Sequence, residues 1–252
     1  MGVAKKILPR SNVKGGVMFQ RKIMLVTILF TFLLVDVTAA PVPVGPALMG
    51  SGDGLKMRWV NTDFSPHSIT DAAQALNLRP GDVGYVGEVS GVTKVIDFED
   101  GNYGDLFRDT DQAVPLGADD NFAVLYKGFL NVTVSGNYTF RSFTDDGFRL
   151  TIGGEVVSLF NSDRSPGETT TSVFLNEGLY HFEFIGWEQG GQFVNELAWI
   201  KPGEVEFTQP GDRTNLVFFT TQGDASVPEP MMLSLFLIGL IVMGYARQSR
   251  QS

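Results

Sequence analysis

The chain has 252 residues, a formal net charge of −9 and no cysteine. Without cysteine it has neither disulfide bonds nor thiol chemistry. From Pro41 to Pro228 there are 11 Lys and Arg against 26 Asp and Glu, a balance of −15. A surface this acidic repels nucleic acid and anionic membranes, so it excludes nucleic-acid binding and suits divalent cations or neutral glycans.

Residues 1–39 have the pattern of a secretory signal peptide. Several Lys and Arg residues precede an apolar stretch from Ile23 to Val35, which is too short for an ordinary membrane span. The small residues Val37-Thr38-Ala39 follow, and we expect cleavage after Ala39. The pattern predicts an exported protein.

The length of the region 40–226 predicts one domain, and it is long enough to bury a hydrophobic core. A Ser68 start followed by recurring alanine and leucine predicts one short helix from Thr70 to Leu78. After Phe122 apolar and polar residues alternate, which predicts strands at 130–134, 138–143, 148–152, 173–175, 179–187 and 195–200. Hairpin turns are predicted at Ser135-Gly136-Asn137 and Gly153-Gly154.

These elements predict an all-β fold, an antiparallel two-sheet β-sandwich. It is flanked by the signal peptide and by a C-terminal sorting segment with one transmembrane helix. The residues predicted to lie inside the sandwich are Phe140, Leu150, Ile152, Phe182, Phe184 and Trp199.

The stretch from Gly136 to Gly154 reads GNYTFRSFTDDGFRLTIGG. It resembles the signature hairpin of the anthrax-protective-antigen-type domain, in which G-x-Y-x-F leads into D-D-G-x-R-L-x-I-x-G. The later segments Leu175–Phe184 and Glu196–Trp199 fit the next landmarks of that family, so the likeness spans roughly residues 118–202. The resemblance implies a β-sandwich of the kind found in bacterial toxins, glycosidases, adhesins and yeast flocculins.

Asp145 and Asp146 are adjacent carboxylates at the predicted tip of that hairpin. They repel each other, so the pair indicates either free solvation or a shared cation. In the flocculin branch of the family such a pair, joined by a cis peptide, holds a calcium ion that binds sugar hydroxyls. The resemblance therefore implies that Asp145 and Asp146 are calcium ligands, with Gly147 giving the loop conformational freedom. The alternative is that Asp145-Asp146-Gly147 simply closes a turn.

A second loop, Trp187-Glu188-Gln189-Gly190-Gly191-Gln192, corresponds to the stretch that completes the flocculin-type calcium site. The family has an Asn there, so Glu188 or Gln189 is the expected source of the side-chain oxygen. Gly190 and Gly191 leave their carbonyls accessible, and Gln192 is assigned with them to ligand binding. Trp187 either stacks on a sugar ring or belongs to the core.

Other polar residues carry weaker signals. The acidic stretch between Asp97 and Asp111 lacks EF-hand spacing and is predicted to be a solvated loop. His67 and His181 lie far apart in the sequence, and His181 is predicted to be structural. No motif places a nucleophile or a pair of catalytic carboxylates, so no catalytic residue is assigned.

The chain ends with Val227-Pro228-Glu229-Pro230, an apolar run from Met231 to Tyr245, and then Arg247 and Arg250. This order resembles the PEP-CTERM sorting tail of Gram-negative bacteria. The resemblance implies that residues 227–252 are a sorting signal cut near its motif by an exosortase. It also implies a helix at 231–245 that holds the chain in the inner membrane. That run is shorter than the roughly twenty residues of a comfortable span, so snorkelling arginines must help it.

Together these patterns predict an exported, surface-sorted carbohydrate-binding or adhesion protein associated with extracellular polysaccharide, with calcium in its site. The expected location is the cell surface or extracellular matrix, after transient anchoring in the inner membrane. The expected partners are a glycan or exopolysaccharide, an exosortase-type enzyme and the inner membrane, and no nucleic acid. The rival interpretation is a structural matrix or envelope component with no ligand site. A glycan-processing enzyme is the third.

Overall fold

The structure is a computed structural model that describes residues 39–48, 52–100, 112–115, 120–211 and 217–221. Apart from Ala39, the predicted signal peptide lies outside these residues, and so does the predicted sorting tail. Within the described ranges, no helix is long and apolar enough to cross a membrane.

In that part of the chain one helix accompanies twelve strands. The helix α1 is Ile69–Asn77. The strands are β1 Leu55–Thr62, β2 Tyr85–Thr93, β3 Asp97–Glu99, β4 Gln112–Ala113, β5 Phe122–Val132, β6 Gly136–Asp145, β7 Phe148–Ile152, β8 Glu155–Phe160, β9 Gly167–Leu175, β10 Gly178–Glu188, β11 Val194–Ile200 and β12 Phe218–Phe219.

The strands form two sheets. Sheet A has the order β2-β1-β5-β10-β7-β8, with β12 also paired to β5, and sheet B has the order β4-β3-β11-β6-β9. The strand pairs are antiparallel except for the short parallel pair of β3 with β4. The predicted two-sheet antiparallel sandwich is confirmed, with that parallel pair as the exception.

The space between the sheets is filled by aromatic rings. Trp59 lies at its centre, with ring centroids 5.3 Å from both Phe122 and Phe193. The six residues predicted to be internal are all buried, which confirms that prediction: Phe140, Leu150, Ile152, Phe182, Phe184 and Trp199. Alternation along each strand identified them because successive side chains point to opposite faces of a sheet.

Helix α1 confirms the predicted helix, shifted by one residue at each end. Its N-cap is Ser68, whose hydroxyl accepts a hydrogen bond from the Asp71 amide, while the Asp71 carboxylate accepts one from that hydroxyl. The helix covers the outer face of sheet A, where its buried residues form a second apolar cluster. That cluster comprises Val60, Ala72, Ala75, Leu76, Ala123, Ile185 and Trp187.

Two of the predicted turns do not close hairpins. Strand β5 lies in sheet A and β6 lies in sheet B, while β7 lies in sheet A again. The turn at Ser135-Gly136-Asn137 and the segment around Asp145-Asp146 therefore cross between the sheets, and the hairpin prediction is wrong at both places. At Gly153-Gly154 the hairpin is confirmed, because β7 pairs with β8.

The prediction of a solvated acidic loop is also wrong where the structure describes that stretch. Asp97 is buried in β3, and Phe98 next to it belongs to the core. Asp105, Asp109 and Asp111 lie outside the described residues. His181 is exposed on the outer face of β10, where its ring lies 4.9 Å from that of Phe129.

Candidate functional site

The two adjacent aspartates lie where the chain passes from one sheet to the other. Asp145 ends β6 and is paired with Val194 in sheet B, whereas Phe148 begins β7 and is paired with Gly186 in sheet A. The peptide bond between Asp145 and Asp146 is cis, as the flocculin-type resemblance implies. The last residue of β10, Glu188, reaches the same end of the sandwich.

Asp145, Asp146 and Glu188 form what we call the carboxylate cluster. One oxygen from each carboxylate lies within 4.8 Å of the others, and all three residues are buried. The Asp146 oxygens accept hydrogen bonds from the amides of Arg164 at 3.0 Å and Gln189 at 2.8 Å. Glu188 accepts one from the Gly190 amide through Oε1, while its buried Oε2 has no hydrogen-bond partner.

Burial makes this cluster hard to ionise. It raises the pKa of Asp145 to about 7, and the neighbouring charge of Asp146 adds to the effect. Burial also raises the pKa of Glu188 to about 9, with Asp146 and Asp145 contributing. The pKa of Asp146 is raised by burial as well, although its hydrogen bonds from two amides oppose the rise. A bound cation would compensate for the charge that burial penalises.

These shifts predict a stability that depends on pH in the absence of divalent cations. The folded-state pKa values of Asp145 and Glu188 lie above their ordinary values of 3.8 and 4.5. At a pH between the ordinary and the raised pKa of each group, the folded chain therefore binds more protons than the unfolded chain. The stability that these two groups contribute is therefore fully present below pH about 4 and is lost as the pH rises through about 7 for Asp145 and then about 9 for Glu188. Thermal melting in chelator across this range should show the melting temperature falling.

The variant Glu188→Gln removes one titrating group and should reduce that slope. The matched control Asp63→Asn, which changes an exposed aspartate, should leave it unchanged. A melting temperature of the metal-free chain that climbs between pH 5 and 9 would contradict the prediction.

The second predicted loop meets the aspartates as the resemblance implies. A cavity of about 460 Å³ is lined by Asp145, Asp146, Asp163, Arg164, Ser165, Pro166, Gln189, Gly190, Gly191 and Gln192. Gly191 has a φ of 112°, a conformation that favours glycine, and its amide donates to the Asp120 carboxylate at 2.9 Å. The structure thus brings Asp145, Asp146 and the 189–192 loop to one cavity, and Glu188 lies next to the two aspartates.

Trp187 does not take part in this cavity wall. Its side chain is fully buried beneath α1, so the indole ring has no face to offer a sugar, and the alternative interpretation as a core residue describes its position. A Cβ atom on Gly147 would lie 2.2 Å from the Trp187 ring. Gly147 is therefore needed for this close approach, and the prediction that it supplies loop freedom is wrong, since its φ is not positive.

Arg164, which lies in the β8–β9 loop, belongs to no motif of the sequence and was not predicted to be a site residue. Its guanidinium donates from Nε to the Thr144 carbonyl at 3.0 Å and from Nη2 to the Thr144 hydroxyl at 2.5 Å. Nη1 donates to the Thr169 hydroxyl at 2.9 Å, and the guanidinium lies over the Phe160 ring at 4.2 Å. Arg164 thus fixes the backbone immediately before the aspartate pair while its own amide binds Asp146.

We expect Arg164→Met to destabilise the folded chain by about 2–3 kcal/mol, because it leaves several buried acceptors without their charged donor. Arg141→Met is the matched control, because the Arg141 guanidinium also lies over an aromatic ring, that of Phe207 at 4.0 Å. Its ion pair, at 3.5 Å with an exposed carboxylate of Glu168, is worth at most about 1 kcal/mol. Denaturant unfolding of both variants measures the difference. Equal losses in the two would contradict a special role for Arg164.

A second pair lies at the rim of the cavity. His67 Nδ1 is 2.7 Å from the Asp163 carboxylate, and both side chains are exposed. The hydrogen bond to Asp163 raises the pKa of His67. These two residues come from segments 96 positions apart, so only the fold brings them together.

Several solved structures resemble this chain, whereas no curated protein matches its sequence. Among solved structures, the PA14 domain of the antifreeze protein MpAFP is 17% identical over 67% of this chain and 90% of its own, with a TM-score of 0.49. The PA14 sugar-binding domain of an RTX adhesin is 19% identical over 63% and 96%, with a TM-score of 0.46.

The epithelial adhesin 9 A domain from Candida glabrata, in complex with Galβ1-4GlcNAc, is 13% identical over 74% of this chain and 99% of its own, with a TM-score of 0.50. At this identity, the likeness to the epithelial adhesin 9 domain shows a shared fold alone. The family evidence comes from the sequence, where residues 53–212 match the model of the PA14 domain. This span includes the whole predicted signature and confirms the resemblance drawn from it. The chain belongs to the PA14 domain family.

Proposed function

We propose that this protein is an exported carbohydrate-binding protein of the adhesion type, and that it binds a neutral glycan through a calcium ion. The observation that carries the proposal is the buried carboxylate cluster at the cavity, with the unpartnered Oε2 of Glu188 beside Asp145 and Asp146. Buried carboxylates that share one point are stabilised by a common cation.

The donor atoms suit calcium better than softer metals. They are carboxylate oxygens of Asp145, Asp146 and Glu188, with the amide oxygen of Gln189 and the carbonyls of Gly190 and Gly191 at the same cavity. Calcium takes six to eight oxygen ligands and tolerates irregular geometry. A bound ion would supply a positive charge that sugar hydroxyls can contact. The residues named above would hold the ion, and the shape of the cavity would determine which sugars can reach it.

The cavity also indicates the kind of glycan. Its wall carries carboxylates, so an acidic sugar would be repelled, and the amides of Gln189 and Gln192 suit uncharged hydroxyls. Among proteins with this fold, the epithelial adhesin 9 domain forms a complex with Galβ1-4GlcNAc, a neutral disaccharide. Neutral glycans are therefore the ligand class that we test first.

The test is retention of neutral and acidic glycans by the purified chain on an array, in calcium and in chelator. We expect binding of neutral glycans in calcium, loss in chelator, and loss in Asp146→Asn. Asp63→Asn is the matched control and should bind like the wild type. A folded wild-type chain that retains no glycan in calcium overturns the proposal.

Export and sorting form a separate part of the proposal, supported by the sequence of residues 1–39 and 227–252. Changing Pro228-Glu229-Pro230 should trap a full-length membrane form, whereas deleting everything after Val227 should release the chain. Mass spectrometry of the mature protein from its host measures the ends. A mature protein that still ends at Ser252 would contradict the proposed cleavage of the tail, but not the proposed membrane anchor at 231–245.

A structural matrix component is the second candidate, and the long exposed edge strand β2 favours it. We propose no enzymatic activity. Glycosidases place two carboxylates on opposite sides of a sugar bond. Asp145, Asp146 and Glu188 instead converge on one position and are buried. Failure of the glycan test in a folded protein would favour the matrix candidate.

A further inference from the structure

Strand β2 is an open edge of sheet A. It pairs with β1 on one side, and in the part of the chain that the structure describes no strand pairs with its other side. Every second residue of an antiparallel edge strand points its backbone N–H and C=O away from the sheet, where another strand can bind them. The free edge of β2 therefore offers a row of donors and acceptors.

The strand has few of the features that usually protect an edge. Its sequence YVGEVSGVT contains no proline and no lysine. Val86 and Val92 are 63% and 56% exposed, and Val83 just before the strand is 96% exposed. The single charge, on Glu88, is compensated by Arg58 of β1, whose Nη2 lies 2.5 Å from the Glu88 carboxylate. Such an edge is prone to pair with another chain.

The opposite end of sheet A is formed by β8. The Ser158 hydroxyl of β8 lies 3.1 Å from the Thr171 hydroxyl of β9, the end strand of sheet B, so a side-chain contact joins the two sheets there. At the β2 end the side-chain amide of Gln112 on β4 donates to the Thr93 hydroxyl at 3.3 Å, so both ends of the sandwich have such a contact. These side-chain contacts leave the backbone edge of β2 unpaired within the described residues, and what distinguishes β2 is its sequence.

The sequence of β2 is complementary to itself. Directly opposite side chains in an antiparallel pair lie on the same face of the sheet, and side chains along one strand alternate between faces. When two copies of β2 pair, opposite residues must therefore both have odd numbers or both have even numbers. The register centred on Val89 overlaps all nine residues, places Val86 opposite Val92 of the second copy, and places Glu88 opposite Ser90. A register shifted by one step toward the N-terminus would instead set Glu88 against Glu88, which is unfavourable.

We propose that β2 is a self-association surface, through which two copies of this chain join their A sheets edge to edge about a two-fold axis at Val89. The occupant is a second copy because the full-overlap register matches apolar with apolar residues and keeps the two Glu88 side chains from facing each other. A two-fold contact of this kind is closed, so it yields a dimer and not a fibre. The inference is independent of the glycan site.

Sedimentation velocity of the purified full chain over a range of concentrations tests the proposal. We expect a monomer–dimer equilibrium in the wild type. The double variant Val86→Lys with Val92→Lys places like charges opposite each other twice and should weaken association at least about tenfold. Val156→Lys is the matched control, because Val156 is 55% exposed on the other edge strand, β8. It should associate like the wild type.

Cross-linking locates the axis. The chain contains no cysteine, so Val89→Cys introduces the only thiol. We expect it to form a disulfide-linked dimer on oxidation, whereas Val156→Cys should form no disulfide-linked dimer under the same conditions. Circular dichroism of each variant checks that it is folded.

Three outcomes would overturn the proposal. One is a wild type that stays monomeric at every concentration, and another is a dimer that the double lysine variant leaves intact. The third is a monomer in which the amides of 85–93 that point away from β1 are protected from hydrogen exchange, which would show that another segment of the same chain covers the edge.

Discussion

Calcium is expected to stabilise this protein strongly, by about 2.7 kcal/mol in the free energy of unfolding at a hundredfold excess over its dissociation constant. The unfolded chain has no preformed site, so the binding free energy adds to folding stability. The positive charge of the bound ion offsets the cost of burying ionised Asp145 and Glu188, whose pKa values burial raises. Thermal melting of the purified chain in calcium and in chelator measures the effect.

Asp146→Asn should remove most of this stabilisation, since it deletes one of the three carboxylates. Its single oxygen can accept the Gln189 amide or the Arg164 amide but not both, so the quantity to compare is the difference between melting in calcium and in chelator for each variant. Asp63→Asn should keep the stabilisation by calcium. Magnesium serves as a further comparison, because its strict octahedral geometry suits an irregular site poorly. A melting temperature indifferent to calcium would leave the aspartate pair as part of a structural turn only.

Replacing Phe182 with alanine is expected to leave the chain without a stable fold. Phe182 is fully buried between the sheets, and its ring lies 4.8 Å from that of Phe218. Truncating a buried phenylalanine costs about 3–5 kcal/mol, which is comparable to the whole stability of many domains, about 5–15 kcal/mol. Denaturant unfolding, or failure to recover folded protein, measures the loss.

Phe174→Ala is the control for that loss, because Phe174 lies on β9 with 54% of its surface exposed. It should change the free energy of unfolding by less than about 1 kcal/mol. Near-equal behaviour of the two variants would contradict the observed arrangement of the sandwich. A mainly helical circular dichroism spectrum of the wild type would contradict it as well.

The strands and the core could be predicted because alternation is a local property. Phe182 follows the exposed His181, and Glu183 separates it from Phe184, so a period of two residues already places the two rings on one face. The cap of α1 could be found for the same reason, since Ser68 and Asp71 satisfy each other within one turn. The Asp145-Asp146-Gly147 motif identified the family and the place where the two loops meet.

The partners of each strand could not be predicted, because alternation does not say which sheet a strand joins. This is why the turns before and after β6 were predicted as hairpins although they cross between sheets. Trp187 was open to two interpretations for a related reason, since the helix that covers it lies more than a hundred residues away in sequence. Arg164 lies in an ordinary polar loop, and only the folded chain brings its guanidinium to Thr144.

The family, the sandwich, the identity of the inward-facing residues and the two loops that carry oxygen donors all follow from the amino-acid sequence. These features depend on residue types and spacings that act over a few residues. Three further features appear only in the folded chain: Glu188 is buried beside Asp145 and Asp146, Arg164 fixes the aspartate pair, and β2 is an open edge. Each of these is set by long-range strand pairing, whose energy comes from the packing of the whole sandwich and leaves no local trace in the chain.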